Sequence, residues 1–271
     1  NGRNLYLLDV ATGDQKKIDA DELYVPGPFR EQFGDWSSDS RWIVYTKVTG
    51  TYFKKVILYS LDQEKSFPVT DGLSDVSEPV FDRGGKYLYF FASTDAGPAV
   101  NWFDQSNNDT RSTNSIYLLT LQKETISPFA RENDEEEIKT TDTSKTEKKG
   151  IAVAEKKAEP FKIDLDGIQN RIIDIPVKRG NYAALGMGKE GELLYISNGF
   201  ENGVPGMLHK YDIKKRKDAE VIEMDGYLIS ANGKKMLYAK NNAWGITATG
   251  EKPEPGKGML NTSELQVKFD P

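Results

Sequence analysis

The sequence predicts an all-β fold, a β-propeller of four-stranded antiparallel blades, because two strand patterns alternate along it at a regular interval. In one pattern a polar turn leads into alternating apolar and aromatic residues that end at Tyr, as in SSDSRWIVYT, DRGGKYLYFF, KEGELLYIS and ANGKKMLYAK. In the other an apolar strand runs through Asp or Thr into a charged turn and a second strand, as in NLYLLDVATGDQKKI. Tyr45 and Tyr89 are 44 residues apart, and Tyr195 and Tyr238 are 43 apart. Four short strands in about 40–50 residues are typical of one propeller blade.

The predicted units follow one another along the chain. They are a half blade at residues 1–18, fuller blades at about 30–72, 76–130 and 165–224, a shorter blade at 226–250, and a linker with a terminal strand at 251–271. Residues 1–250 therefore predict a partial propeller of about four to five blades from a six- or seven-bladed ring. A β-sandwich, the other all-β fold considered, does not predict turn-plus-Tyr units at a fixed interval.

One segment breaks the repeat. Residues 131–160 contain no aromatic side chain, and 16 of the 30 positions are charged. Such a composition buries too little apolar area to offset the entropy of ordering the chain. It predicts a solvated, mobile insertion between blades, with a docking or regulatory segment as the alternative.

Composition excludes several classes of function. The chain has 271 residues, a net charge of −6, no Cys and one His. Disulfides, thiolate metal sites and multi-His metal sites are excluded, and no cofactor or metal site is predicted. No apolar run approaches the ~18 residues of a membrane span. The negative charge argues against nucleic acid or an anionic membrane as partner.

The sequence contains no recognisable nucleophile motif and predicts no catalytic residue. There is no G-x-S-x-G element. His209 occupies the position that Tyr6, Tyr59 and Tyr117 hold in sister repeats. We interpret it as a flat structural ring and expect no Ser-His-Asp triad, since any such triad would have to use it.

The long hairpin loop at residues 93–113 carries the candidate contact residues. Trp102 and Phe103 lie among polar residues there, which is unusual for a plain connector. Together with Asp95 and Asn101 they are predicted to contact peptide or line the channel. The alternative is an Ω-like loop packed on its own blade.

Longer strings resemble one family. WSSDSRWIVYTK, VTDGLSDVSEPVFDRGGKYLYFFASTDAGP, FKIDLDGIQNRIIDIPV and LNTSELQVKFDP are similar to the propeller region of tricorn-type serine peptidases. The resemblance implies that this chain is the second propeller of such a peptidase. It also implies that PDZ-like and catalytic regions follow Pro271 and that the propeller gates the access of peptides or unfolded polypeptide. A homo-oligomer of the full-length protein and a cytoplasmic location are implied by the same resemblance. The chain starts at Asn1 without Met, which we interpret as a fragment, so a periplasmic location stays open.

Two alternatives remain at this point. A TolB-like interaction propeller with no attached peptidase fits the same repeats. The propeller of a prolyl-oligopeptidase-like enzyme would require a G-x-S-x-G hydrolase domain downstream.

Overall fold

The computed structural model describes residues 3–24, 34–95, 112–130, 161–198 and 205–263, together with Leu265. These residues form short β-strands joined by turns, and a 3-10 turn at Ile168–Arg171 adds a small helical element. The strands in chain order are β1 (Asn4–Leu8), β2 (Gln15–Ala20), β3 (Gly34–Trp36), β4 (Trp42–Val48), β5 (Lys54–Ser60), β6 (Lys65–Pro68), β7 (Asp75–Phe81), β8 (Tyr87–Ser93), β9 (Ser115–Thr120), β10 (Ile172–Asp174), β11 (Tyr182–Met187), β12 (Glu192–Ser197), β13 (Met207–Asp212), β14 (Lys217–Glu223), β15 (Gly226–Ile229), β16 (Lys235–Lys240) and β17 (Ala243–Ala248).

Consecutive strands pair into antiparallel sheets. β1 and β2 form a two-stranded sheet, called here the N-terminal hairpin. The first blade is β3–β6, the second β7–β10, the third β11–β14 and the fourth β15–β17. The sheets are arranged as blades of a β-propeller, which confirms the predicted fold class.

The core lies between the blades, because the central strands of the first three blades are covered on both faces. β8 is buried over almost its whole length. Leu88 and Phe90 lie in an apolar cluster shared with the first blade, whereas Tyr89 and Phe91 lie in a cluster shared with the third. Further clusters join the third blade to the fourth and the N-terminal hairpin to the first. Full burial of such a side chain contributes roughly 1.5–3 kcal/mol, so the stacking of blades is the main source of stability.

Polar residues at the start of the turn pattern hold the hairpins between the two inner strands of a blade. The Ser37 hydroxyl accepts the backbone N–H of Trp42 at 2.9 Å in the first blade. The Ser230 hydroxyl accepts the N–H of Lys235 at 3.0 Å in the fourth. Short polar side chains favour turns by making such local bonds, which explains the Ser residues at these two turns. The third blade differs, because its turn at residues 188–192 is closed by backbone hydrogen bonds.

The fourth strand of the second blade comes from beyond residues 131–160. β10 pairs antiparallel with β9, so that Ile172 opposes Leu119 and Asp174 opposes Tyr117. The repeats place residue 172 in the unit at 165–224, whereas in the structure it completes the preceding blade and the third blade begins at Tyr182. The three residues of β10 are too few to show the repeat pattern. They pair with β9 because the outer N–H and C=O groups of β9 need hydrogen-bond partners.

In the second blade, the residues of the central strand β8 are offset by one position from the alignment that the spacing of the Tyr residues predicts. Tyr45 packs towards the preceding sheet, the N-terminal hairpin, whereas Tyr89 packs towards the following blade. Phe90 packs towards the preceding blade and so holds the position of Tyr45. Side chains alternate between the faces of a strand, so an offset of one residue exchanges the faces.

The fourth blade has a fourth segment along its outer edge. The N–H of Ile246 donates to the carbonyl of Gly258 at 2.7 Å, and the N–H of Leu260 donates to the carbonyl of Trp244 at 2.9 Å. Residues 258–260 therefore run antiparallel to β17, with Met259 opposite Gly245. This segment follows the predicted Pro/Gly linker and satisfies part of the edge of β17.

Candidate functional site

The inner strands β3, β7, β11 and β15 surround a cavity of about 590 Å³. Its walls are residues 34–36, 80–83, 184–187 and 227–231, with Ser38 at one side. The innermost strands of propeller blades line the central channel of the fold. We therefore call this cavity the central groove and take it as the candidate functional site.

Each pair of adjacent inner strands is linked by one side chain. The Asp35 carboxylate accepts the N–H of Phe81 at 2.9 Å, the Glu78 carboxylate accepts the N–H of Leu185 at 2.6 Å, and the Tyr227 hydroxyl donates to the carbonyl of Ala184. These bonds run from blade to blade instead of within a sheet. They hold the wall of the groove together across the blade boundaries.

Two of these links use residues with left-handed backbone. Glu78 has a φ of 49° and Ala184 has a φ of 56°, which is uncommon for residues other than Gly. Each lies at an irregularity in its inner strand, between Ser77 and Val80 in β7 and between Ala183 and Gly186 in β11. A bulge bends a strand and redirects its groups, which here brings the Glu78 carboxylate and the Ala184 carbonyl to the next blade.

Arg83 ties three blades together at one end of the groove. Its guanidinium donates to the carbonyl of Gly188 at 2.9 Å and to those of Met187 and Ala231 at 3.4 Å each. Gly233 has a φ of 69°, and a Cβ on it would lie 2.5 Å from the Arg83 guanidinium carbon. The left-handed backbone favours glycine there, and the Arg83 guanidinium lies in the space that a Cβ would otherwise enter.

The partly buried Asp35 and the buried Asp82 shape the electrostatics of the groove. Burial raises the pKa of Asp35, although the N–H groups of Phe81 and Trp36 and the charge of Arg83 act in the opposite direction. Burial also raises the pKa of Asp82. Charges of both signs thus lie close together at the wall, so the groove does not present a strong field of one sign.

The groove is suited to holding a chain without demanding particular side chains. Its volume falls within the range of roughly 300–1,000 Å³ that ligand pockets occupy. Its walls combine backbone of four separate strands with apolar side chains such as Val80, Phe81 and Tyr227.

Of the predicted contact residues, Asp95 lies in the described part of the chain. Its carboxylate accepts the Ser93 hydroxyl at 2.7 Å and the N–H of Thr113 at 3.2 Å, and the Thr113 hydroxyl also donates to it. The hydrogen bonds from Thr113 and Ser93 lower the pKa of Asp95 to about 2. Asp95 therefore joins the two ends of the 93–113 loop. Asn101, Trp102 and Phe103 lie outside the described residues, so their contact with peptide or channel stays a prediction.

The single histidine lies in a chain of hydrogen bonds. Nε2 of His209 is 3.0 Å from Oγ of Ser197, and Nδ1 is 2.8 Å from Oδ2 of Asp218. The Tyr195 hydroxyl donates to the other carboxylate oxygen of Asp218 at 2.9 Å, and its ring stacks on the imidazole with centroids 4.8 Å apart. The stacking agrees with a structural ring. The same hydrogen bonds bring Ser197, His209 and Asp218 into contact, which the repeat pattern did not predict.

Cross-strand register brings the members of this array together. His209 opposes Tyr195 in the pairing of β12 with β13, and Ser197 lies two residues further along on the same face. The register of β13 with β14 shifts between Leu208 and His209. Bulges that redirect side chains in this way carry no sequence signature.

Among the described residues, no three His, Asp or Glu side chains come together in a group able to bind a metal ion. No helix in the described part of the chain is long and apolar enough to span a membrane.

Comparison with known proteins shows where the fold recurs. The family described as the tricorn protease second beta propeller domain matches residues 1–250. The tricorn protease of Thermoplasma volcanium is 24% identical over 270 residues, which are 94% of this chain and 24% of that protein. This chain therefore spans about a quarter of the length of that relative.

Solved structures show the same architecture. The crystal structure of the tricorn protease superimposes with a TM-score of 0.61 at 19% identity, over 92% of this chain and 23% of that one. TolB from Acinetobacter baumannii gives a TM-score of 0.52 at 13% identity, over 92% of this chain and 47% of that one. At these identities the likeness concerns the fold.

Proposed function

The chain belongs to the family of the tricorn protease second β-propeller domain, and we propose that it controls the access of peptides to the proteolytic site of a larger serine peptidase. In this proposal the peptide bond is cleaved by another region of the parent protein. PDZ-like and catalytic regions that follow in that protein are its partners. Short or unfolded polypeptides are the substrates that pass.

The central groove is the observation that carries this proposal. It is bounded by one inner strand from each of four blades, and its wall mixes apolar residues with polar and charged ones of both signs. A passage for many peptide sequences needs a wall of this kind, because strong directional contacts to one side chain would retain some peptides and exclude others.

The links between inner strands support a passive role. Asp35, Glu78 and Tyr227 each bond the inner strand of one blade to that of the next. A wall held in this way keeps its width, so selection follows the size and extension of the peptide. No chemical step is required of the groove.

Blocking the groove tests the proposal. Ser38 lines it, and Trp at this position fills space that a peptide would occupy. We expect S38W to weaken binding of a fluorescein-labelled unstructured peptide at least tenfold by anisotropy. It should also slow peptide hydrolysis by the parent enzyme. The matched control is K17W, because Lys17 is exposed on β2 away from the groove. Equal binding by all variants would contradict the proposal.

A second candidate function is a TolB-like interaction propeller without a peptidase, which the likeness to TolB favours. The sequence encoded after Pro271 separates the two: a region with a serine nucleophile supports the peptidase, and a stop codon supports the interaction module. The isolated chain should not cleave peptide amides. Amide hydrolysis that persists in repurified protein would contradict the first proposal.

A further inference from the structure

The array of Ser197, His209 and Asp218 has the order of contacts that nucleophilic catalysis requires. The hydroxyl lies within hydrogen-bond distance of one imidazole nitrogen, and the other nitrogen lies within hydrogen-bond distance of a carboxylate. A nucleophile, a base and a group that orients the base form the recurring geometry of activated serines on unrelated folds. These residues lie on three adjacent strands, β12, β13 and β14.

The surroundings fix the imidazole in this position. Tyr195 stacks on its face at an interplanar angle of 8°, which restrains rotation of the ring. The Tyr195 hydroxyl donates to Oδ1 of Asp218 while His209 contacts Oδ2, so both oxygens of the carboxylate are held. The register shift at His209 lies directly beside the array, and bulges are frequent next to sites where a side chain must be redirected.

The array is confined to the third blade, so the propeller repeat does not explain it. Strand pairing identifies the equivalent positions, because Tyr195 opposes His209 as Tyr45 opposes Ile57, Phe90 opposes Tyr117, and Tyr238 opposes Gly245. Lys47, Ala92 and Lys240 correspondingly hold the position of Ser197. Tyr117 stacks on Phe90 much as His209 stacks on Tyr195. A ring is therefore sufficient for packing at this position, and a histidine between serine and aspartate is not needed for it.

We propose that Ser197 is an activated nucleophile that accepts an acyl group from an activated ester or a phosphonyl group from a fluorophosphonate. His209 is its general base, and Asp218 is the positioning residue for His209. The inference goes beyond the access function proposed above, because it concerns the face of the third blade and not the groove.

The acyl transfer requires only the ester, water and the residues named. Oγ of Ser197 attacks the carbonyl carbon of an ester, its proton passes to Nε2 of His209, and the C–O bond to the leaving group breaks. His209 returns the proton to the leaving oxygen, and water then releases the acyl group by the reverse sequence. With a fluorophosphonate, the Oγ–P bond forms, the P–F bond breaks and fluoride leaves.

The neighbouring residues indicate the kind of ester. Tyr182 opposes Ser197 across β11 and β12, and its ring lies edge-on to that of Tyr195 with centroids 4.8 Å apart. Ser197 ends its strand and is half-buried. The partly buried ring of Tyr182 beside a partly buried serine favours a small aryl ester over a peptide amide, so p-nitrophenyl acetate and a fluorophosphonate are suitable probes.

Covalent labelling of the intact chain tests the proposal. We expect the fluorophosphonate to add once, with Ser197 as the labelled residue in peptide mapping, and p-nitrophenyl acetate to give a burst of one equivalent. General-base catalysis is worth about 10²–10⁴-fold, so H209F should slow labelling at least 100-fold. H209F retains an aromatic ring in the slot that Tyr117 fills in the second blade. S197A should abolish labelling, whereas S66A, which removes the hydroxyl bonded to Tyr45 in the first blade, should leave it unchanged.

Asp218 requires a measurement that a purely structural role would not change. The chain contains one histidine, so ¹⁵N-histidine NMR reports His209 alone. The proposal requires that His209 carry its proton on Nδ1 and leave Nε2 unprotonated. D218N should shift this tautomer and slow labelling of Ser197 at least tenfold. The unfolding midpoint of D218N should equal that of the wild-type chain. Absence of labelling at Ser197, labelling that H209F or D218N leaves unchanged, or a proton held on Nε2 in the wild-type chain would each overturn the proposal.

Discussion

Asp19 shows how a single side chain fastens one sheet to the next. Its carboxylate accepts the Tyr45 hydroxyl at 2.6 Å and the Lys47 ammonium at 2.8 Å, which joins the N-terminal hairpin to the first blade. Burial alone would raise the pKa of Asp19, but the hydrogen bonds from Lys47 and Tyr45 outweigh it and the pKa lies below its usual value. The folded protein therefore favours the ionised form.

The pKa of Asp19 leads to a pH-dependent prediction. D19N should lower the free energy of unfolding by about 1–3 kcal/mol at pH 7, the range for losing a partly buried charged hydrogen bond. Because the pKa is lower in the folded than in the unfolded chain, this contribution is full above about pH 4 and declines as the pH falls through the folded-state value. Urea unfolding of wild type and D19N at pH 7 and pH 3 measures it.

A double-mutant cycle separates the ion pair from other effects of the substitution. K47M removes the cationic partner, so D19N and K47M together should destabilise by less than the sum of the two single changes. Strict additivity, or a difference between wild type and D19N that is equal at both pH values, would show that Asp19 acts otherwise.

At this scale the sequence predicts residue types better than it predicts contacts. His209 stacks on Tyr195, but strand pairing aligns it with Ile57, Tyr117 and Gly245, so of the predicted aromatic counterparts only Tyr117 holds the equivalent position in a blade. Its contacts with Ser197 and Asp218, 12 and 9 residues away, depend on strand register and on an irregularity beside His209. Neither can be read from one sequence, because a shift of one residue exchanges the faces of a strand.

At the scale of elements, the links between inner strands decide how firmly the blades are held together. Glu78 combines a bulge, a left-handed backbone and a carboxylate that accepts the N–H of Leu185 at 2.6 Å. Strained backbone persists where the surrounding structure compensates its cost, and here the compensation is a bond to the next blade.

Removal of that carboxylate should loosen the second blade from the third. E78A is expected to lower the free energy of unfolding by about 1–3 kcal/mol, because the N–H of Leu185 loses its acceptor in a partly buried site. E78Q is the matched control, since its amide oxygen can still accept that N–H, and it should cost less than half as much. Guanidinium denaturation measures both variants, and equal costs would indicate that the charge matters more than the hydrogen bond.

The second blade is assembled from both sides of residues 131–160. Arg171 donates to the carbonyl of Thr120 at 3.0 Å beside the pairing of β9 with β10, and Arg216 donates to the carbonyls of Pro128 and Ala130 at 3.0 Å each. Strands before and after the segment also share an apolar cluster between the second and third blades. The two parts of the chain are therefore joined by packing as well as by the backbone.

Cleavage of the segment tests this assembly. A protease recognition sequence inserted after Gly150 should allow one cut that leaves both fragments associated, because the cluster and the β9–β10 pairing remain. Size-exclusion chromatography should show co-elution at the original volume, with the uncut insertion variant as control. Separation of the fragments without denaturant would mean that the covalent link, and not packing, holds the second blade to the third.

The strands themselves were predictable where they repeat. Alternating apolar residues after a polar turn mark β4, β8, β12 and β16 directly. β10 has three residues and follows a long insertion, so neither its partner nor its blade could be inferred from spacing. The central groove could not be predicted from the sequence either, because the inner strands of separate blades come together only in the folded structure.

At the scale of the whole molecule, the fourth blade presents an apolar face away from the third. Leu228, Leu237 and Ile246 oppose one another across β15, β16 and β17 and so share a face, whereas Met236 and Tyr238 pack against the third blade. Leu228 is 68% exposed and Trp244 is 42% exposed on this sheet. Contiguous exposed apolar surface favours association between molecules.

We therefore expect the isolated chain to self-associate through this face. L228K combined with I246K should lower light scattering and shift the sedimentation profile towards monomer at micromolar concentration, because two charges would have to be desolvated in any contact. The two lysines move the net charge of −6 towards zero, which on its own would promote association, so improved solubility cannot be a net-charge effect. E220K on the exposed β14 changes the charge in the same direction without touching the face and serves as control. A wild-type chain that is monomeric and melts cooperatively would contradict the expectation. It would mean that the blades of this chain are stable together without covering the exposed face of the fourth blade.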